Sequence, residues 1–209
     1  MVPDLDDLLH TFCHHQPDRL LEMFGNSSVL CARCSGIYLS ILLGLAFVAL
    51  FARVHNYRAG ASAFIVTGLF VVIMPIEVLF EIATPFEGTN LLRYATGVLF
   101  GSGFSMLLGT FWSVFFPSES LPKAGTAWFV GAGQFAVASV TFVLSLLLWQ
   151  WAIFNILVFA GLASAYFVVN IILARALIGI RPLFACVLCS VVLTALEWYL
   201  LYQANSFAL

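Results

Sequence analysis

The 209-residue chain is 63% hydrophobic and 9% charged, with a mean hydropathy of +1.07, which leaves too little polar surface to cover a water-soluble globule. Its net charge of −2, with only eight lysines and arginines, offers no basic patch and excludes nucleic acid as an expected partner. These values point to an all-α, polytopic transmembrane bundle whose first partner is the lipid bilayer.

The chain begins with a short polar head. Asp4, Asp6 and Asp7 stand where the positive region of a cleavable signal peptide should be, so the first span is expected to serve as its own insertion signal. Asp4 can cap a short amphipathic helix carrying Leu5, Leu8, Leu9 and Phe12, lying on the membrane surface and delivering Cys13 and His14 at its end. Pro17, Asp18 and Arg19 begin a second turn or helix, which Gly25 and Asn26 close. Cys31 and Cys34 then fall at the N-terminus of the first span. Unpaired N–H groups and the helix dipole favour thiolate there, the form that binds metal.

Six spans are predicted, at 36–52, 63–83, 91–116, 127–148, 152–174 and 183–202. The chain therefore divides into a Cys/His head at 1–35, a three-helix core at 36–116 that completes the motif site, and three further helices at 117–209. Connections are too short for a separate soluble domain. An even number of spans puts both termini on one side. The loops opposite the head carry Arg53, Arg58, Lys123, Arg175 and Arg181, against Arg19, Arg33 and Arg93 on the head side. The positive-inside rule then places the head outside the cytoplasm, and Trp149 and Trp151 fit an interfacial aromatic belt.

Cys13, His14, Cys31 and Cys34 are the candidate metal ligands. Soft thiolate and imidazole donors at C-x-x-C spacing suit tetrahedral zinc or iron. A disulfide is the alternative, sharpened by an exported head, and His10 and His15 are weaker ligands. Cys186 and Cys189 repeat the spacing inside an apolar span, where cysteine behaves as a small hydrophobe. At the head-side end of the second span, Glu77 and Glu81 are four residues apart and share a helix face, just beyond Pro75, which is expected to kink or loosen the helix. Asn90 and Arg93 open the third span from the same side. Carboxylates at that depth call for a salt bridge to Arg93 or Arg33, or a contact to a ligating histidine. Gly36, Ser40 and Gly44 on the first span, and Gly97, Gly101, Ser105 and Gly109 on the third, form small-residue stripes that predict close packing of these two helices.

The segment Cys13-His14-His15-Gln16-Pro17-Asp18-Arg19, followed by Leu30-Cys31-Ala32-Arg33-Cys34-Ser35-Gly36-Ile37-Tyr38, resembles a family of prokaryotic membrane proteins of unknown function, with the pattern CHQ-x-P-x-R-S and then CARCTGIY. Asn90, Arg93, Thr96, Gly97 and Gly101 resemble its second block, N-x-x-R-x-x-TG-x-x-x-G. The resemblance covers roughly residues 10–110 and implies a shared site in a prokaryotic inner membrane, without naming a reaction. His15 and Leu20 depart from the pattern, and Glu77 or Glu81 stands near an expected Asp-containing segment.

Three functional classes follow. In an enzyme, the metal leaves a position for water or substrate, Glu77 or Glu81 is the general base, and Asn90, Arg93, Arg19 and Arg33 bind an anionic group of a lipid-like substrate. In an assembly or binding subunit of a larger membrane complex, the head is closed by a structural metal or a disulfide. In an ion- or proton-coupled transporter, Glu77, Glu81 and Glu197 lie on the path.

Overall fold

A computed structural model describes residues 13, 17–23, 26–55, 57–59, 61–116, 123–125, 127–148, 152–177 and 183–206. The expected amphipathic helix before Cys13, the candidate ligand His14, and His10, His15, Trp149, Trp151 and Arg181 lie outside these residues.

The described residues form six long helices: α1 (Ala32–His55), α2 (Ala61–Ala83), α3 (Asn90–Phe115), α4 (Ala127–Leu148), α5 (Ala152–Leu177) and α6 (Leu183–Ser206). α1, α3, α5 and α6 are apolar nearly all round, with no amphipathic stripe, as expected where lipid rather than water surrounds the bundle. Five helices carry stretches long and apolar enough to cross a bilayer: Ala32–Leu50, Phe64–Ala83, Asn90–Trp112, Val130–Leu148 and Ala152–Leu177. α6 holds a shorter one, Phe184–Leu200, which at 1.5 Å per residue reaches ~26 Å.

Large apolar side chains such as Ile65, Leu69, Ile76, Leu79, Phe135, Leu147, Phe184 and Val192 point outward, while Ser35, Ser40, Ser102, Ser105, Gln134 and Thr141 are fully buried. This arrangement follows from the solvent. Between helices in lipid, association comes from close backbone approach and interhelical hydrogen bonds, which small polar residues permit. The α1–α3 contact is the most extensive in the molecule. A methyl group on Gly36 would strike the backbone of Tyr94 and Val98, one on Gly97 the carbonyl of Arg33, and one on Gly101 that of Ile37. Further along, Gly44 faces Ser105 and Gly109 faces Val48, and the Ser40 hydroxyl donates to the Val98 carbonyl at 2.8 Å. The two predicted stripes therefore meet along their whole length.

Two local features differ from the sequence-based expectation. First, helix α1 begins at Ala32, four residues before the expected start, so Cys34 lies in its first turn and Cys31 precedes it. Second, Pro17–Arg19 form a single 3-10 turn and not the start of a longer helix. An antiparallel hairpin follows, β1 (Leu20–Met23) with β2 (Asn26–Cys31), pairing Leu20 with Cys31 and Met23 with Asn26. Only two residues separate the strands, a length that favours hairpins, and β-branched or aromatic residues are too few there to announce strands. Pro75 lies inside helix α2, just before Glu77 and Glu81. At the other end of the bundle, β3 (Tyr57–Ala59) pairs in parallel with β4 (Lys123–Gly125), joining two loops.

A candidate metal centre braced by an ion-pair cluster

The hairpin and α1 bring three cysteines together. Ser28 holds the hairpin from within: its hydroxyl accepts from the Leu21 N–H at 3.0 Å and donates to the Leu30 carbonyl at 2.6 Å. Asn155 of α5 accepts from the Val29 N–H at 3.2 Å, fixing β2 to the bundle. β2 ends at Cys31 and runs directly into α1, so Cys31 and Cys34 stand one turn apart. Cys13 is packed beneath them, 4% exposed, and the Cys31 N–H donates to its Sγ at 3.2 Å.

The sulfurs of Cys13, Cys31 and Cys34 all lie within 4.8 Å of one another. Sulfurs around a tetrahedral zinc with ~2.3 Å bonds stand about 3.8 Å apart, so this group could hold a metal ion with little rearrangement. No disulfide joins Cys13, Cys31, Cys34, Cys186 and Cys189 to one another. The sulfur hydrogen bond with Cys13 pushes the Cys31 thiol above its ordinary range; burial and the charge of Cys13 add to this, while Cys34 opposes it. The Cys31 thiol is thus raised, where the helix N-terminus led to the expectation of a thiolate, and binding a metal there requires loss of its proton to the cation.

Arg33, between the two cysteines of the C-x-x-C, links this pocket to a second cluster. Its Nη2 donates to Glu77 at 2.8 and 2.7 Å and to Glu81 at 3.1 Å. Arg93 of α3 donates through Nε to Glu81 at 3.0 Å and through Nη1 to the Asn90 Oδ1 at 3.0 Å. Asn90 in turn donates to the carbonyls of Asp18 and Leu20, at 3.0 and 2.8 Å. Two guanidinium groups thus neutralise two carboxylates, with the four side chains only 9–17% exposed. The pairing expected with Arg93 or Arg33 is realised with both, because Glu77 and Glu81 share the face of α2 turned toward them. Asn90 ties the start of α3 to the head.

Sequence reading assigned no role to Thr96, whose hydroxyl donates to Glu77 at 3.3 Å, or to Gly88, where any Cβ would collide with the carboxylate of Glu81. Glycine there lets the loop between α2 and α3 lie close over the carboxylates without displacing Glu81. Thr96 carried a signal, its place in the second motif block; Gly88 carried none. Two donors in this region are buried with no acceptor among the described residues, the Nε of Arg19 and the Nε of Arg33.

Comparison with known proteins places the segment that carries this site in a family of membrane proteins. Residues 13–107 match a family described as "Predicted membrane protein (DUF2085)". An uncharacterized protein of Methanothermobacter thermautotrophicus is 30% identical over 95 residues, which is 46% of this chain and 82% of that protein. An uncharacterized protein of Methanocaldococcus jannaschii is 27% identical over 89 residues, 43% of this chain, and the chain spans only 56% of that protein's length. No solved structure matches. The matched segment runs from the first cysteine of the sulfur pocket to the glycine-lined part of α3, and on that basis the chain belongs to the DUF2085 family of predicted membrane proteins.

Proposed function

We propose that this protein is a membrane metalloprotein holding one zinc ion at Cys13, Cys31 and Cys34, with His14 as the fourth ligand. The observation that carries the reading is the convergence of three sulfurs from distant parts of the head, one of them accepting a backbone N–H as metal-bound thiolates do. Three thiolates and an imidazole suit tetrahedral zinc, and iron is the alternative occupant. Following the loop charges, the head lies outside the cytoplasm of a prokaryotic inner membrane.

A second element of the proposal concerns what lies beside the metal. Two buried guanidinium N–H groups without acceptors among the described residues, on Arg19 and Arg33, favour an anionic ligand such as the phosphate of a membrane-resident, lipid-like substrate. Asn90 and Arg93 would complete its binding surface, and Glu77 or Glu81 would serve as base. The pairing of both carboxylates with arginine equally supports a bracing role, in which the protein is a binding or assembly subunit of a larger membrane complex. Transport has less support, since Glu77 and Glu81 are locked in ion pairs.

The test is elemental analysis of protein purified under reducing conditions, beside a Cys31→Ser/Cys34→Ser variant. One zinc per chain, lost in the variant, is the expected result. Metal-free protein with oxidised cysteines would replace the metal by a disulfide. Retention of zinc and fold in Glu77→Gln and Arg93→Ala, with turnover of phospholipid lost, would favour catalysis over bracing.

A further inference from the structure

Of the three helices in the N-terminal half, α2 is the most exposed. Ile76, Leu79, Phe80 and Ile82, which flank its two carboxylates, all face outward. α2 packs chiefly on α3 and α4, whereas α1 packs on α3, α5 and α4. At the head, α2 is therefore tied to α1 by side chains, through Arg33 reaching across to Glu77 and Glu81. Farther from the head, Gln134 of α4 donates to the Thr67 hydroxyl oxygen at 2.7 Å, ~15 Å along the axis from Glu77. Near that bond, Gly103 of α3 lets Phe70 and Val71 approach closely. Between the two attachments stands Pro75, which has no N–H to give to the preceding turn, so the helix bends most easily just before Glu77. α2 thus has a fixed far section, a weak joint and a head-side end held by charge.

The charges at that end do not balance. Asn90 binds the carbonyls of Asp18 and Leu20, on both sides of Arg19, and accepts from Arg93. The corner therefore carries three guanidinium groups against the two carboxylates of α2. The Nε of Arg19 and that of Arg33 are buried without an acceptor among the described residues. A phosphate makes the same forked contacts with guanidinium as a carboxylate does, and it is not tethered to a helix that holds it away from these donors. Glu81 lies two residues before the end of α2 and Glu77 one turn earlier, so a bend at Pro75 carries both toward head-side water and leaves neither unpaired in lipid.

We infer that Glu77 and Glu81 are internal stand-ins for an anionic ligand: the phosphate of a membrane lipid displaces them from Arg33 and Arg93, and the head-side end of α2 swings out about Pro75. The inference rests on the anion-binding reading above and adds its regulation. With the carboxylates in place the corner is closed, and the apparent affinity for the lipid is lowered by the share of molecules in which α2 is docked.

The experiment is hydrogen exchange of the full-length, zinc-loaded protein in phosphatidylcholine nanodiscs, with and without phosphatidic acid, whose binding is measured beside it by native mass spectrometry. Phosphatidic acid should speed exchange at residues 78–89 about tenfold, the opposite of the protection a ligand ordinarily confers, and leave the hairpin unchanged. Glu77→Gln/Glu81→Gln should exchange fast there without the lipid, respond no further to it and bind it about tenfold more tightly. Bound phosphatidic acid with exchange at 78–89 unchanged or slowed would overturn the stand-in role and leave the anion site standing. No binding, or binding undiminished in Arg19→Ala and Arg93→Ala alike, would remove the anion site and the inference with it. The same acceleration by inorganic phosphate in phosphatidylcholine alone would assign the exchange of partners to a soluble anion and overturn the lipid. The wild-type comparison decides the point even if the double variant fails to fold.

Discussion

The two halves of this molecule are apolar to a similar degree but assembled differently. In the N-terminal half, α1 and α3 touch backbone to backbone through glycine, and charged side chains from the head, α2 and α3 close into a neutral cluster. In the C-terminal half, α6 rests chiefly on α5, exposes much of its length, and its polar contacts to α5 include Asn170 to Thr194 and Glu197, and Ser190 to the Phe167 carbonyl. Chemistry that needs fixed geometry collects where backbones approach most closely, because small residues leave each side chain few ways to relax. The family model matches residues 13–107, in the first half.

The sharpest way to break the contrast is to separate α1 from α3. Gly97→Leu should cost ~3 kcal/mol or more through overpacking against the Arg33 backbone and abolish recovery of folded protein by size-exclusion chromatography. Gly68→Leu on α2, where a Cβ meets nothing within 4 Å, should leave recovery unchanged. Equal losses in both would mean that the stripe is not what holds the half together.

Next comes the ion cluster. Arg33→Met should lower thermal stability by about 3 kcal/mol, because it leaves buried carboxylates uncompensated. Adding Glu77→Leu should recover part of that loss. A double variant as unstable as the sum of its parts would show that the charges act separately.

Zinc binding sharpens the comparison of the two C-x-x-C pairs. Cys31→Ser should remove most of the bound metal, whereas Cys186→Ser and Cys189→Ser should remove none. Each thiol must lose its proton to bind, so acid weakens the site. With the Cys31 thiol raised, zinc affinity in chelator competition should keep rising with pH beyond the point where an ordinary cysteine has ionised. A pH-independent affinity would argue against thiolate ligation.

The smallest effect is expected at the tie between head and bundle. Asn90→Ala removes two hydrogen bonds to the carbonyls of Asp18 and Leu20 and should cost ~1–2 kcal/mol, read as faster hydrogen exchange in the hairpin with zinc retained. Unchanged exchange would locate the anchor elsewhere, with Asn155 the next candidate.

Much of the site was readable before any coordinates. The predicted spans agree with the helices to within a few residues, because a bilayer demands long apolar runs and tolerates little between them. Cys13, Cys31 and Cys34 were legible from residue type and spacing, and Glu77 with Glu81 from their shared face. The hairpin was not: Leu20–Met23 and Asn26–Cys31 lack strand periodicity, and the hydrogen bonds of Ser28 within the hairpin and of Asn155 from α5 arise only in the folded protein. Gly88 was equally silent, since its requirement arises from carboxylates on a neighbouring helix.

By itself the sequence determined that the chain lives in a bilayer, roughly where its helices lie, and which residues have the chemistry to bind metal. Those properties follow from hydropathy, charge and local spacing, each of which acts over a few neighbouring residues. Only the tertiary structure decided that Cys13 reaches the other two cysteines, that Arg33 and Arg93 share the two carboxylates, and that Glu197 faces Asn170. Such pairings depend on which helix faces approach, and close packing of small residues sets that across separations no local pattern encodes.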